Sequence, residues 1–272
     1  MKSDRATAIR QLLYARGRLT VGEIAVAVAA SEPTVRRDLA ALEADGAITR
    51  SHGGASIAEE AGREVGFALR EGQRLEEKRA IGEVAHGLLR PGEAVFLDAG
   101  TTVLQLARLI RLRPLPLRVF TNCLPVAQVL ADVAPVEVTL LGGTIRPENA
   151  STVGPLAEAA LRHLRFDRAF IGMGALGEDA AIYTADPREA QLNALTLERA
   201  AQPVILADSS KFGRYLTHRV APVGNGLQLV TDTGLPAEWR RRLTDLGVDL
   251  ALAPLPGASG PVPTKATDQE RS

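Results

Sequence analysis

Beyond residue 93, short β-rich runs alternate with helix-patterned stretches, and this alternation constrains the fold more than any other feature of the chain. The runs are 94–97 (AVFL), 117–120 (LRVF), 136–141 (VEVTLL), 168–171 (RAFI), 204–207 (VILA), 227–230 (LQLV) and 248–252 (VDLAL). Helical segments are expected between most of them, at 102–110, 124–132, 155–164, 188–200 and 236–246. Strands separated by helices are joined by crossovers, which set neighbours parallel. Continuous apolar strands indicate burial on both faces. The expectation for 76–253 is an α/β domain with a mainly parallel sheet covered by helices. A helix at 75–89, with Ile81, Val84, Ala85 and Leu88 on one face, is expected to pack against it.

Open parallel sheets bind ligands beyond the carboxyl ends of their strands. Four loops here have suitable chemistry. Asp98-Ala99-Gly100-Thr101-Thr102 follows a strand and opens a helix, so unpaired amides and the positive end of the helix dipole favour an anion there. Thr121-Asn122 forms the second loop and Gly142-Gly143-Thr144-Ile145-Arg146 the third, with Arg146 as an anion contact. Asp208-Ser209-Ser210-Lys211 forms the fourth and brings an ammonium to a strand end. Each has a plainer explanation: a turn, a helix cap or a solvated lysine. Four such loops at matching strand ends point instead to a cleft.

A different pattern occupies residues 20–54, TVGEIAVAVAASEPTVRRDLAALEADGAITRSHGG. Ser31 is a natural N-cap, and Pro33 falls in the first turn, where a missing N–H costs little. Val35, Leu39 and Leu42 make one apolar stripe at i, i+4 and i+7. At about 100° per residue, Arg37 points away from that stripe, flanked by Thr34 and Arg36. Gly46 ends the helix. Thr20 with Glu23 fits a capping box for a preceding helix that buries Ile24 and Val28. Ala29-Ala30 is the tight turn between the two. The pair reads as a helix-turn-helix with the second helix presented to the DNA major groove. Residues 47–54, with Arg50 and His52, form a wing, and 16–19 adds a short strand to it. Residues 3–15 supply a first helix with Ile9, Leu12 and Leu13 inward. Charged helix residues are usually only solvated; the two capped helices and tight turn around Arg36 and Arg37 argue for DNA contact.

The segment SEPTVRRDLAALEADGAITRSHGGA resembles the headpiece of the DeoR-type bacterial repressors, with their S-x-x-T-x-R-R-D-L-x-x-L-x-x-x-G pattern and HGGA wing. The resemblance runs from about residue 5 to 253 and includes LDAGTT, TNC, LLGGTIRPE, VGPLAEAAL, FDRAFIG and LADSSKFG. It implies an N-terminal winged helix-turn-helix followed by a sheet resembling the ribose-5-phosphate isomerase/CoA-transferase-like fold. It further implies a domain that senses phosphorylated sugars or related metabolites. Asp98, Gly100, Thr101, Thr102, Asn122, Gly142, Gly143, Arg146 and Lys211 would line the effector site. Thr20, Ser31, Thr34, Arg36, Arg37, Arg50 and His52 would contact operator DNA. The chain departs from the family where Met173-Gly174-Ala175 replaces the usual Ala-Asp-Gly, Asn193 a frequent lysine, and Ala99 a frequent serine.

With 272 residues there is room for two modest domains, read as a head at 1–56, a connection at 57–75, the α/β domain at 76–253 and a disordered Pro/Gly/Ser/Thr-rich tail at 254–272. Lys and Arg number 32, as do Asp and Glu, so DNA affinity must come from local placement rather than bulk charge. A lone Cys123, no secretory signal and no membrane-length apolar run suit a soluble cytoplasmic protein. His52, His86, His163 and His218 have no metal-ligand spacing, and Cys123 has no nearby histidine. Glu178, Asp179, Asp186 and Glu189 are read as solvating a loop. The expected protein is a repressor without cofactor, metal or catalytic residues. Its expected partners are double-stranded operator DNA, a phosphorylated sugar or related effector, and further copies of itself as a dimer or tetramer. The rivals are a sugar-phosphate isomerase or transferase carrying an accessory head, and an interaction protein whose α/β domain only oligomerises.

Overall fold

Three helices and three short strands form the N-terminal head of the computed structural model, which describes residues 2–44, 48–51, 53–57 and 66–255. They are α1 (Lys2–Arg16), β1 (Leu19–Thr20), α2 (Val21–Ala27), α3 (Glu32–Ala44), β2 (Ile48–Ser51) and β3 (Gly54–Ile57). Strand β3 pairs antiparallel with both β1 and β2, so the strand after α1 joins the wing as expected. Ile9, Leu13, Ile24, Val35, Leu39, Leu42, Ile48 and Ala55 close the core. Leu12 and Val28 pack at its rim. Gly54 is tightly placed: a Cβ there would lie 2.4 Å from the Leu19 carbonyl oxygen. Gly46 and His52 lie outside the described residues, as does the tail from residue 256.

Two helices follow, α4 (Phe67–Gly72) and α5 (Leu75–His86). Residues 57–75, expected as a connection, include more structure than that. Within them α4 is ordered by Phe67, which is buried with Ile81, Ala85 and Leu106 in the α/β core.

The remaining elements are β4 (Ala94–Leu97), α6 (Thr101–Leu112), β5 (Leu117–Thr121), α7 (Leu124–Leu130), β6 (Val136–Leu140), β7 (Thr144–Arg146), β8 (Ser151–Val153), α8 (Pro155–Arg162), β9 (Phe166–Gly172), β10 (Ala175–Leu176), β11 (Ala181–Thr184), α9 (Pro187–Arg199), β12 (Ala200–Leu206), β13 (His218–Pro222), β14 (Gln228–Asp232), α10 (Ala237–Asp245) and β15 (Asp249–Ala253). Seven strands make a wholly parallel sheet in the order β15-β14-β12-β9-β4-β5-β6, using each of the seven expected runs. One core on each face accounts for the continuous apolar strands: Val95 and Leu97 enter one, Phe96 the other.

The β7–β8 hairpin and the small β10-β11-β13 sheet are additions that periodicity did not announce. Strands of two to five residues are too short to display a period. Strand β12 begins at Ala200, opposite Phe166, rather than at 204. Pairing with β9 extends it through Gln202 and Pro203, which have little strand character of their own.

Candidate DNA-binding face and anion cavity

The head presents α3 as the sequence requires. Val35, Leu39 and Leu42 are buried, while Arg36 and Arg37 are exposed and Thr34 is half-buried. Asp38 ties α3 to α1: its carboxylate accepts from Arg5 Nε at 2.5 Å and Nη2 at 3.3 Å. Arg36 pairs with Glu32 at 2.9 Å, an exposed i,i+4 pair of little net strength that a phosphate can displace. Among the described residues Arg37 has no ion-pair partner. Thr20 caps α2 in a complete capping box: Glu23 N donates to Thr20 Oγ1 at 3.2 Å, and Thr20 N donates to Glu23 Oε2 at 2.7 Å. The Ser31 hydroxyl instead shares a 2.9 Å bond with the Thr34 hydroxyl. Arg50 belongs to β2.

At the carboxyl ends of the sheet, β4 and β9 lie side by side while the chain leaves them in opposite directions, towards β5-β6 and towards β12-β14-β15. Such a switch point opens a crevice. A cavity of ≈ 880 Å³ lies there, within the roughly 300–1,000 Å³ of small-molecule sites. Its wall includes Gly100, Thr101 and Thr102 from the β4–α6 loop, Gly172 at the end of β9, and Asp208, Ser210 and Lys211 after β12. Helix α6 starts at Gly100 with no side-chain cap, and its first residues, Thr101 and Thr102, line the cavity, so the first turn brings unpaired amides to the cavity wall. A Cβ on Gly100 would make only ordinary contact with Gly172, 3.5 Å away; glycine here leaves room above the backbone rather than relieving a clash.

The other expected effector residues separate into two groups. Asp98, Asn122 and Arg146 lie beneath the cavity and are almost fully buried. Asp98 Oδ2 accepts from Gly172 N at 3.2 Å, while its Oδ1 has no partner. Burial, then the nearby Glu189 charge, pushes the Asp98 carboxyl up to about 7. Arg146 is paired with Glu189 at 3.0 Å and Asp186 at 3.3 Å rather than exposed to an incoming anion. Gly142 and Gly143 are away from the cavity wall. A Cβ on Gly143 would approach the Val153 carbonyl oxygen to 2.7 Å, so this glycine serves the β7–β8 hairpin.

Residues outside the sequence-derived set complete the wall: Arg70 and Gln73 from α4 and its end, Arg74, Lys78 from α5, Glu189 and Arg214. Lys78 is buried, and burial lowers its ammonium to about 8. Burial also lowers Lys211, which has no hydrogen-bond or ion-pair partner for its ammonium among the described residues. Lys78 was legible in principle, because it shares the apolar stripe of α5 with Ile81 and Ala85. Arg70 and Arg74 carry no such sequence signal.

Three of the four acids read as solvating a loop do more, and the exposed Glu178 carboxylate stays in water. Asp186 caps α9, accepting from the amides of Arg188 at 2.8 Å and Glu189 at 3.3 Å. Its carboxyl is held well below the usual range, first by Arg188. Glu189 is buried, and burial raises its carboxyl. Asp179 accepts from the Tyr183 hydroxyl at 2.7 Å, and the Glu178 carbonyl accepts from Arg242. Cys123 is fully buried and pushed up to about 12, which leaves the thiol protonated. No group of metal-ligating side chains occurs among the described residues, and none of their helices is long and apolar enough to cross a membrane.

A capped helix-turn-helix with a wing, followed by a parallel sheet that opens a cation-lined cavity, defines a DNA-binding transcriptional regulator with a sensor domain. Residues 5–61 match the DeoR-like helix-turn-helix domain, and residues 73–233 match the DeoR C-terminal sensor domain. The chain belongs to the DeoR family. It is 38% identical over 218 residues to the HTH-type transcriptional regulator GlpR of Haloferax volcanii, covering 80% of this chain and 85% of that one. It is 33% identical over 241 residues to the HTH-type transcriptional repressor CsqR of Escherichia coli, covering 89% and 92%. It is 36% identical over 216 residues to a lactose phosphotransferase system repressor of Lactococcus lactis, covering 79% and 84%. Among solved structures, ribose 5-phosphate isomerase A of Methanocaldococcus jannaschii matches with a TM-score of 0.37 and 16% identity over 50% of this chain and 53% of that one.

Proposed function

We propose that this regulator represses genes of carbohydrate metabolism and is released from its operator by a phosphorylated sugar or related anionic metabolite. The ester would bind at Gly100-Thr101-Thr102 and Lys211. The observation that carries this reading is the unpartnered Lys211 ammonium on the same cavity wall as the uncapped start of α6. An anion there would meet the α6 amides, two threonine hydroxyls and a full positive charge. Asp98, an acceptor beneath the wall, is assigned to the sugar side, since its charged form would repel a phosphate beside it. One relative, from Lactococcus lactis, carries the name of a sugar phosphotransferase repressor, which agrees with an effector of this chemistry.

The domain senses rather than transforms its ligand on this reading. Isomerisation needs a base placed on the substrate. Of the buried carboxylates on or beside the cavity wall, Asp98 accepts from the Gly172 amide, Glu189 is engaged by Arg146 and Asn149, and Asp208 accepts from the Ser210 amide and hydroxyl. The test is calorimetry on the full chain with sugar phosphates and their unphosphorylated sugars. Lys211→Met should weaken the phosphorylated ligand by at least tenfold, as expected for a lost charge-assisted bond of roughly 1.5–3 kcal/mol. Its operator affinity without ligand should stay at the wild-type level. Equal affinity for sugar and sugar phosphate, or a wild-type response from the variant, removes the anion site. Turnover of any sugar phosphate would favour the enzyme reading.

A further inference from the structure

Helix α4 touches both halves of the molecule. It packs beside α1 of the head on one side, and against α6 and the turn at 147–149 on the other. The Arg70 guanidinium lies over the Phe67 ring, 5.9 Å from its centre, and donates to Asn149 Oδ1 at 2.6 Å and the Glu148 carbonyl at 3.3 Å. Asn149 Nδ2 in turn donates to the Ala99 carbonyl at 2.9 Å and Glu189 Oε1 at 3.0 Å. Ala99 is in the loop that opens α6, so two consecutive hydrogen bonds join α4 to the proposed anion loop. At the other end of α4, the Lys78 ammonium donates to the carbonyls of Arg70 and of Gln73, the latter at 2.7 Å. Arg74 takes a left-handed backbone with φ of 49° and holds its Nε 3.7 Å from Asp208, beside Lys211. A non-glycine residue in that conformation is strained and persists because its surroundings hold it.

From this arrangement we infer that α4 is the element through which the cavity acts on the head. A ligand shifts a conformational equilibrium only by binding one state better than another. With α4 docked, Arg70, Gln73, Arg74 and Lys78 line the same cavity as Gly100 and Thr101. With α4 displaced, the wall loses the cations of that segment and the Arg70–Asn149–Ala99 relay opens. An anion therefore favours the docked state and fixes the direction from which the chain runs back to the head. The inference rests on the anion-site reading above and adds the route by which occupancy reaches DNA.

Hydrogen exchange on the full chain tests it, with inorganic phosphate, glucose 6-phosphate, fructose 1-phosphate and glycerol 3-phosphate each at tens of millimolar. The expected result is slowed exchange of 67–78 together with 99–104 and 209–212. Protection of 99–104 and 209–212 with unchanged exchange at 67–78 overturns the α4 route and leaves the anion site standing. No protection of any segment by any probe removes the site, and the route with it. A second measurement uses Arg70→Met, which keeps an apolar stem over Phe67 and breaks the relay. For whichever probe weakens operator binding, the ratio of operator affinities without and with saturating probe should fall by about fivefold or more. The operator is a duplex selected from random DNA. A wild-type ratio, in a variant with wild-type melting and unliganded operator affinity, overturns the inference. Where the variant does not fold, the exchange of the wild-type chain decides.

Discussion

Arg37 and Lys211 are both cations without a partner among the described residues, and solvent separates their situations. Arg37 is in water on the outer face of α3, where its charge is cheap and free to meet DNA. A bidentate arginine–guanine contact is worth about 1–3 kcal/mol. Replacing Arg36 and Arg37 by alanine should therefore weaken operator binding by at least tenfold at fixed salt, read by fluorescence anisotropy. Unchanged binding by the folded double variant would take α3 out of the groove. Lys211 is half-buried and Lys78 buried, so desolvation lowers both ammonium groups, Lys78 to about 8. A bound anion opposes that shift. Well below pH 8 Lys78 is already charged in the free protein, and binding there takes up almost no proton. Above about 8 the free form loses its proton and the bound form regains it, so binding takes up protons and affinity falls as pH rises. Calorimetry in buffers of different ionisation enthalpy reads the uptake; proton-independent binding between pH 8 and 9 would separate Lys78 from the ligand.

At the scale of elements, the helix-turn-helix turns on Ala29. Its φ is 50°, with Ala30 N donating to Ala25 O at 3.0 Å and Ala29 N to Val26 O at 3.3 Å. This is the left-handed helix ending usually made with glycine. Alanine in that region costs roughly 1–2 kcal/mol, offset by α2 and α3 packing Ile24 against Val35 and Leu39. Ala29→Gly should raise head stability by up to about 1 kcal/mol, since the greater freedom of unfolded glycine takes back part of the relief. Urea unfolding of the full chain measures it; a lower midpoint would mean that the Ala29 side chain packs. Helix boundaries elsewhere were legible because caps and breakers are local. Thr20 with Glu23 and Gly100 before Thr101 each lie at a helix start, whereas Asp186, read as solvating a loop, caps α9. The β7–β8 hairpin was not legible, because Gly143 reads as a turn without showing which strands it joins until Val153 is seen against it.

At the scale of the whole molecule, one head offers α3 a single major-groove contact, and helix-turn-helix proteins use two heads on half-sites about 34–36 Å apart. The α/β part is the expected surface for assembly: among the described residues β6 ends the sheet with no strand beyond it, and Leu140, Ile145 and Leu156 are exposed nearby in sequence. Light scattering on the full chain should give a dimer or tetramer at micromolar concentration. A monomer that still binds its operator with full affinity would overturn this.

The sequence by itself determined the two architectures and their order. Periods of 3.6 and 2, caps and turn residues are local signals, and local signals are written in consecutive residues. It also determined which helix presents Arg36 and Arg37, because the stripe of Val35, Leu39 and Leu42 leaves one face for solvent. Only the tertiary structure decided who stands around the cavity. Arg70 and Lys78 stand between 111 and 141 residues before Glu189 and Lys211, and no period relates them. The same packing moved Arg146 from an expected ligand contact into a pairing with Asp186 and Glu189. A buried charge must find its partner in space, and what is near in space is set by strand order, here by β4 and β9 meeting where the sheet changes direction.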